Sequence, residues 1–169
     1  MKSAAELVQA ALQHHQAGRL AEAEAAYQEA LRADPRNVDA QHFLGVLAFQ
    51  RGAHERAEKL ISQAIAWQPA NAPAHNNLGN VLLQLGRARD ALASYRQAIA
   101  LQPAYIDAHA NLCSTLAQLG EPEETAAACR APMANWPGRS TWMSAQRPSA
   151  RTPIAVSRLA DPMEPKDKA

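Results

Sequence analysis

The chain has 169 residues, enough for one domain, and its 17 basic residues nearly balance 16 acidic ones, for a formal net charge of +1. A binder of nucleic acid or anionic lipid gathers cationic side chains on one stretch, whereas residues 1 to 105 carry ten Lys/Arg against nine Asp/Glu, so neither partner is expected. The opening segment is interrupted by Lys2, Glu6 and Gln9 and has no apolar run, which argues against a secretory signal or a membrane span and predicts a cytoplasmic protein.

Gly18, Gly52, Gly86 and Gly120 stand 34 residues apart, and Pro35, Pro69, Pro103 and Pro137 keep the same interval. A period of this length marks supersecondary units that bury their apolar faces only against their neighbours, so the chain is predicted to be an all-α solenoid. Cutting at Ala4, Val38, Ala72 and Ile106 aligns four blocks, 4–37, 38–71, 72–105 and 106–137. The third shows the pattern best. Its first helix is expected to begin near Pro73 and carry Asn77, Leu78, Val81, Leu82 and Leu85 at helical spacing until Gly86 turns the chain. Its second helix is expected from about Ala88 to Leu101, with Pro103 barring continuation.

Small residues recur where backbones must approach: Ala11, Gly45, Gly79 and Cys113 in the first helices, Ala23, Ala57, Ala91 and Thr125 in the second. Three apolar columns fill the space between them: Leu44, Leu78 and Leu112; Tyr27, Ile61 and Tyr95; Leu31, Ile65 and Ile99. Trp67 and its column partner Leu101 are expected to pack on the following repeat.

The block LGxxxxxxG, followed by Ala, Tyr, Ala and Pro at fixed offsets over 34 residues, resembles the tetratricopeptide repeat from Ala4 to about Gln118. The resemblance implies a right-handed superhelix of antiparallel helix pairs, with three regular units and a degenerate fourth. It further implies that the first helices line a concave groove that binds a peptide or helix of a partner protein, with no catalysis and no cofactor. On that template the groove residues are Val8, Leu12 and His15; His42, Phe43, Val46 and Phe49; Asn76, Asn77, Asn80 and Leu83; then Ala110, Asn111, Ser114 and Ala117. Its amino-terminal half offers apolar anchors, and the next repeats offer amides suited to an extended backbone.

Asn77 and Asn111 occupy equivalent places, a pair similar to the asparagine ladder in the repeat region of O-linked N-acetylglucosamine transferases, although Gln9 and Phe43 hold the corresponding places earlier. A solvated helix face is the alternative account of the same residues. Gln16, Gln50, Gln84 and Gln118 form a further column, read as solvated positions ahead of each turn. The subclass that grips acidic C-termini needs Lys and Arg in the groove. Here Val8, Leu12, Phe43, Pro73 and Asn77, or one repeat along His42, Asn77 and Asn111, stand in those places, so that partner is not expected.

The histidines read as packing residues and not as metal ligands: adjacent His14 and His15 diverge on a helix, and His75 and His109 fall at equivalent interface positions. Cys113 and Cys129 lack CxxC spacing and fit a reducing compartment, with neither zinc nor a disulfide framework indicated. Cys113, in the column of Gly45 and Gly79, is expected to be buried and inert. No phosphate-binding glycine loop, HExxH or GxSxG motif occurs.

The pattern degrades after Glu121. Pro132 falls where other repeats have a packed alanine, limiting the last helix to about Glu123 to Arg130, and residues 138–169, rich in Pro, Ser and Arg, read as a disordered tail. No polar-backed capping helix follows, which leaves self-association through the C-terminal end, docking on another protein, or marginal stability of the last repeat as expectations, alongside a truncated or shifted reading frame. The sequence is read as a protein-interaction adaptor. The alternatives are the substrate-presenting front of a glycosyltransferase-like enzyme without its catalytic domain, and a self-assembling scaffold.

Overall fold

The computed structural model describes residues 3–130, all within one compact unit, Met1–Trp136. The expected break at Pro132 and the tail 138–169 lie outside the described residues. Eight helices occur among the described residues: α1 (Ala4–Gln16), α2 (Leu20–Ala33), α3 (Val38–Gln50), α4 (His54–Trp67), α5 (Ala72–Gln84), α6 (Ala88–Leu101), α7 (Ile106–Leu119) and α8 (Pro122–Arg130). No strand is found among those residues, and no helix is long and apolar enough to cross a membrane.

Each helix start and stop has a local cause. Ser3 caps α1 in a reciprocal box with Glu6, and Asn37 and Asn71 accept from the amides of Ala40 and Ala74 to cap α3 and α5. Tyr105, the equivalent residue before α7, makes no side-chain cap. Gly86 has φ +76°, a left-handed conformation that side chains resist, and the Arg87 amide reaches back to the Leu82 carbonyl at 2.9 Å to close the turn between α5 and α6.

The four hairpins α1–α2, α3–α4, α5–α6 and α7–α8 stack in chain order. Successive first helices also touch one another, α1 with α3, α3 with α5 and α5 with α7, which sets them on the inner side of the stack. Within a hairpin, the small column meets the large one. Tyr27, Ile61 and Tyr95 are fully buried, and a methyl group added at Gly45 would stand 2.5 Å from Ile61 Cγ1. In α3–α4 and α5–α6 the glycines Gly45 and Gly79 therefore permit a helix approach in which a β-carbon would run into Ile61 or Tyr95. Burial pushes the hydroxyl pKa values of Tyr27 and Tyr95 up to about 12.

Surface ion pairs tie neighbouring hairpins on the other side: Glu24 holds Arg51 and Arg56, and Arg87 meets Glu58 at 2.6 Å. Such exposed pairs contribute little individually.

Three expectations are corrected. Cys113 and Cys129 are joined by a disulfide linking α7 to α8, with Cα atoms 5.6 Å apart, where no such bond was indicated. Cys113 is half-buried instead of buried, because Cys129 in place of a tyrosine or isoleucine leaves less bulk over it. Leu101 is exposed, while Trp67 is half-buried, so only the tryptophan finds partial cover.

Candidate functional site

The inner surface is built from α1, α3, α5 and α7, one helical face per hairpin. At the amino-terminal end Val8 is buried in the α1–α2–α3 core, with Leu12 and Phe43 packed against the same cluster. Phe43 stacks on Tyr27 at a centroid distance of 6.1 Å and on His42 at 5.1 Å, so much of its ring already has partners. Val46 and Phe49 lie further along α3, half-buried, with Phe49 against His54 at 5.5 Å.

Between α3 and α5 these two side chains face a pocket of about 200 Å³. Val46 and Phe49 form its apolar wall, Asn77 and Asn80 its amide wall, and the buried Ile61 and Val81 its floor. The structure thus brings apolar and amide groups predicted from separate repeats to a single cavity. It does not gather all the candidates there: His42 and Asn76 are each 4% exposed and do not line the pocket, while Asn111 and Ser114 sit on α7.

The amides are also bonded to one another. Asn77 Nδ2 donates to His42 Nε2 at 2.9 Å, and Asn111 Nδ2 donates to Asn76 Oδ1 at 3.0 Å and to Asn80 Oδ1 at 3.1 Å. The Tyr95 hydroxyl donates to Asn80 Oδ1 at 2.8 Å. Upstream, His15 Nε2 donates to Gln50 Oε1 at 2.8 Å and accepts at Nδ1 from the Tyr27 hydroxyl at 3.3 Å. A polar ladder therefore runs from α1 to α7 along the inner side, and buried amides are satisfied by it.

His42 accepts at Nε2, which requires the neutral ring. Burial holds its pKa below the usual histidine value, opposed in part by the charge of Asp39. His75 and His109 serve a different purpose: each donates from Nε2 to the proline carbonyl six residues earlier, Pro69 and Pro103, at 2.9 Å. His109 Nδ1 is buried with no partner among the described residues. No group of three or more His, Cys, Asp or Glu is disposed to hold a metal ion among the described residues.

The sequence reading missed the ladder itself. Its signal was the spacing of 35 residues between His15 and Gln50, His42 and Asn77, and Asn76 and Asn111, one more than the repeat.

Two family models match, described as tetratricopeptide repeat over residues 14–81 and as TPR repeat over residues 79–120. Among solved structures, MamA aligns with a TM-score of 0.73 at 18% identity, covering 84% of this chain and 81% of that one. The first TPR of Spaghetti (RPAP3), bound to the HSP90 peptide SRMEEVD, aligns at 0.67 with 21% identity, over 70% of this chain and 94% of that one. A mutant of the Thermobaculum terrenum O-GlcNAc transferase aligns at 0.62 with 34% identity over 69% of this chain, which spans only 23% of that enzyme. No curated protein matches. In all, 287 solved chains match, so likeness of fold does not by itself single out a partner.

Proposed function

The chain belongs to the tetratricopeptide repeat family, and from that premise we propose that it is a non-catalytic protein-interaction scaffold whose inner face holds an extended segment of a partner protein. The observation that carries this reading is the pocket of about 200 Å³ between α3 and α5, apolar on one side and lined with amides on the other. An apolar side chain of the segment enters against Val46 and Phe49. Its backbone N–H groups donate to the carboxamide oxygens of Asn77 and Asn111, whose nitrogens are engaged in the ladder. Leu12 and Phe43, both partly exposed, continue the apolar track, and Asn80 and Ser114 the polar one, while Val8 is taken up by the core.

The HSP90 peptide held by the RPAP3 domain has an acidic end. The groove residues of the present chain include no Lys or Arg, so an apolar, extended segment is the proposed ligand. The test is to select peptides from a random display library on the full chain and measure their affinity for Val46→Glu and Phe49→Ala variants whose melting is first compared with the parent. Losing an anchor contact in a desolvated pocket weakens binding by roughly tenfold or more. Selected peptides that bind both variants as tightly as the parent sink the proposal.

A second reading rests on the 34% identity with the transferase repeats: the array presents protein substrates to a glycosyltransferase-like catalytic domain. It predicts such a domain encoded downstream in closely similar longer chains. Sequencing that region in related genomes decides it, because intact repeats followed by no transferase dismiss the idea.

A further inference from the structure

The last hairpin is held differently from the others. In α3–α4, Gly45 packs on Ile61, and in α5–α6, Gly79 packs on the ring of Tyr95. Adding the 34-residue period to Gly79 and Tyr95 gives Cys113 and Cys129, the two residues joined by the disulfide. A covalent bond thus stands where the preceding hairpins have a glycine against a large side chain. Among the described residues α8 packs less deeply than α6: Ala91, Leu92, Tyr95 and Ala98 are buried in α6, whereas no residue from 122 to 129 is buried in α8, which adds the partly buried Ala128 to the core and an exposed ion pair from Glu124 to Arg96 at 2.9 Å.

Both cysteines are half-buried, and Cys129 also lines a surface cavity of about 640 Å³ with Ala117, Gly120, Glu121, Pro122 and Thr125. Small thiols and disulfides therefore have a route to the bond. Disulfides that small thiols can reach are the exchangeable ones.

We propose that Cys113 and Cys129 form an exchangeable redox latch that decides whether α8 stays docked on α7. Closing the latch consumes one low-molecular-weight disulfide: a cysteine thiolate attacks it and releases one thiol. The second cysteine then attacks the mixed disulfide, releasing the other thiol and forming the intramolecular bond. The small disulfide gains the two electrons that the two protein thiols lose, and their protons pass to the released thiolates. A thiol reductant reverses the sequence. With a sequence separation of 16 between the partners, breaking the bond lowers the equilibrium constant for docking α8 on the order of a hundredfold by chain entropy.

The experiment uses the full chain, reduced with dithiothreitol or oxidised with glutathione disulfide, and reads two quantities: thiols available to an alkylating agent under denaturing conditions, and hydrogen exchange of α7 and α8. Expected are two alkylated cysteines after reduction and none after oxidation, with α8 amides exchanging roughly a hundred times faster in the reduced protein and α1 to α4 unchanged. A double variant, Cys113→Gly with Cys129→Tyr, restores the packing of the earlier hairpins. It should keep α8 protected whatever the redox state. Cysteines that stay alkylatable after oxidation, equal α8 exchange in both states, or a double variant as unprotected as the reduced parent would each overturn the proposal.

Discussion

Gly79 is the position where the stack leaves least room. A methyl group there enters the ring of Tyr95, standing 2.7 Å from Cδ1 and 2.9 Å from Cζ, where ordinary contact begins near 3.4 Å. The ring has no space to retreat into: Tyr95 is fully buried, and its hydroxyl is tied to Asn80 Oδ1 at 2.8 Å. Forcing a methylene-sized group into a packed site costs about 1–3 kcal/mol, and a shifted ring also weakens a hydrogen bond of about 1 kcal/mol. Against this, alanine in a helix interior is favoured over glycine by about 1 kcal/mol. Gly79→Ala therefore destabilises the array by about 1–3 kcal/mol, and at roughly 4 °C per kcal/mol for a chain of this size Tm drops by several degrees. The first hairpin shows the route by which the cost is limited, because Ala11 stands in the same column opposite Tyr27 and both are fully buried there. Thermal unfolding by circular dichroism, with Gly79→Ala compared to the double variant that adds Tyr95→Leu, measures the clash separately from the propensity. A rise in Tm for the single variant, or no coupling between the two sites, refutes the reasoning.

Tyr105 stands where Ser3, Asn37 and Asn71 cap the other first helices, so Tyr105→Asn should stabilise α7 by about 0.5–1 kcal/mol and Asn71→Ala should cost about 1 kcal/mol, both read from melting curves. His42 gives a pH dependence. Its folded pKa lies below the ordinary 6.5 through burial, so the unfolded chain binds its proton more readily. The stability contributed by the neutral ring is fully present above pH 6.5 and is lost as pH falls through the lower folded value. Chemical denaturation between pH 7 and pH 5 should show this loss for the parent and less of it for His42→Gln; an NMR titration placing the ring at or above 6.5 would contradict it.

Helix boundaries were legible because glycine and proline act on the backbone locally. The blocks cut at Ala4, Val38, Ala72 and Ile106 begin where α1, α3, α5 and α7 begin, since each is preceded by a turn that a capping residue or a proline enforces. The apolar columns were legible for a related reason: a residue buried in one unit is buried at the same place in the next. What a 34-residue alignment hides is contact between units. Each first helix meets its neighbour one residue out of register, so the ladder pairs His42 with Asn77 and Asn76 with Asn111, and no single column contains both partners.

The disulfide was hidden differently. Within its own column Cys113 stands beside Gly45 and Gly79, where a small inert residue belongs. Yet 16 residues separate it from Cys129, the same interval that separates Gly45 from Ile61 and Gly79 from Tyr95. An offset that carries a packing contact in two repeats must bring the same two backbones together in the next, whatever side chains stand there. The ladder follows the same logic. His42, Asn76, Asn77 and Asn111 first satisfy one another because they are drawn against buried surface, where an unpaired amide costs about 1–3 kcal/mol. On the proposed function, recognition by the inner face falls to the apolar wall of Val46 and Phe49 and to the amide oxygens beside it, a narrower set than the groove positions taken column by column.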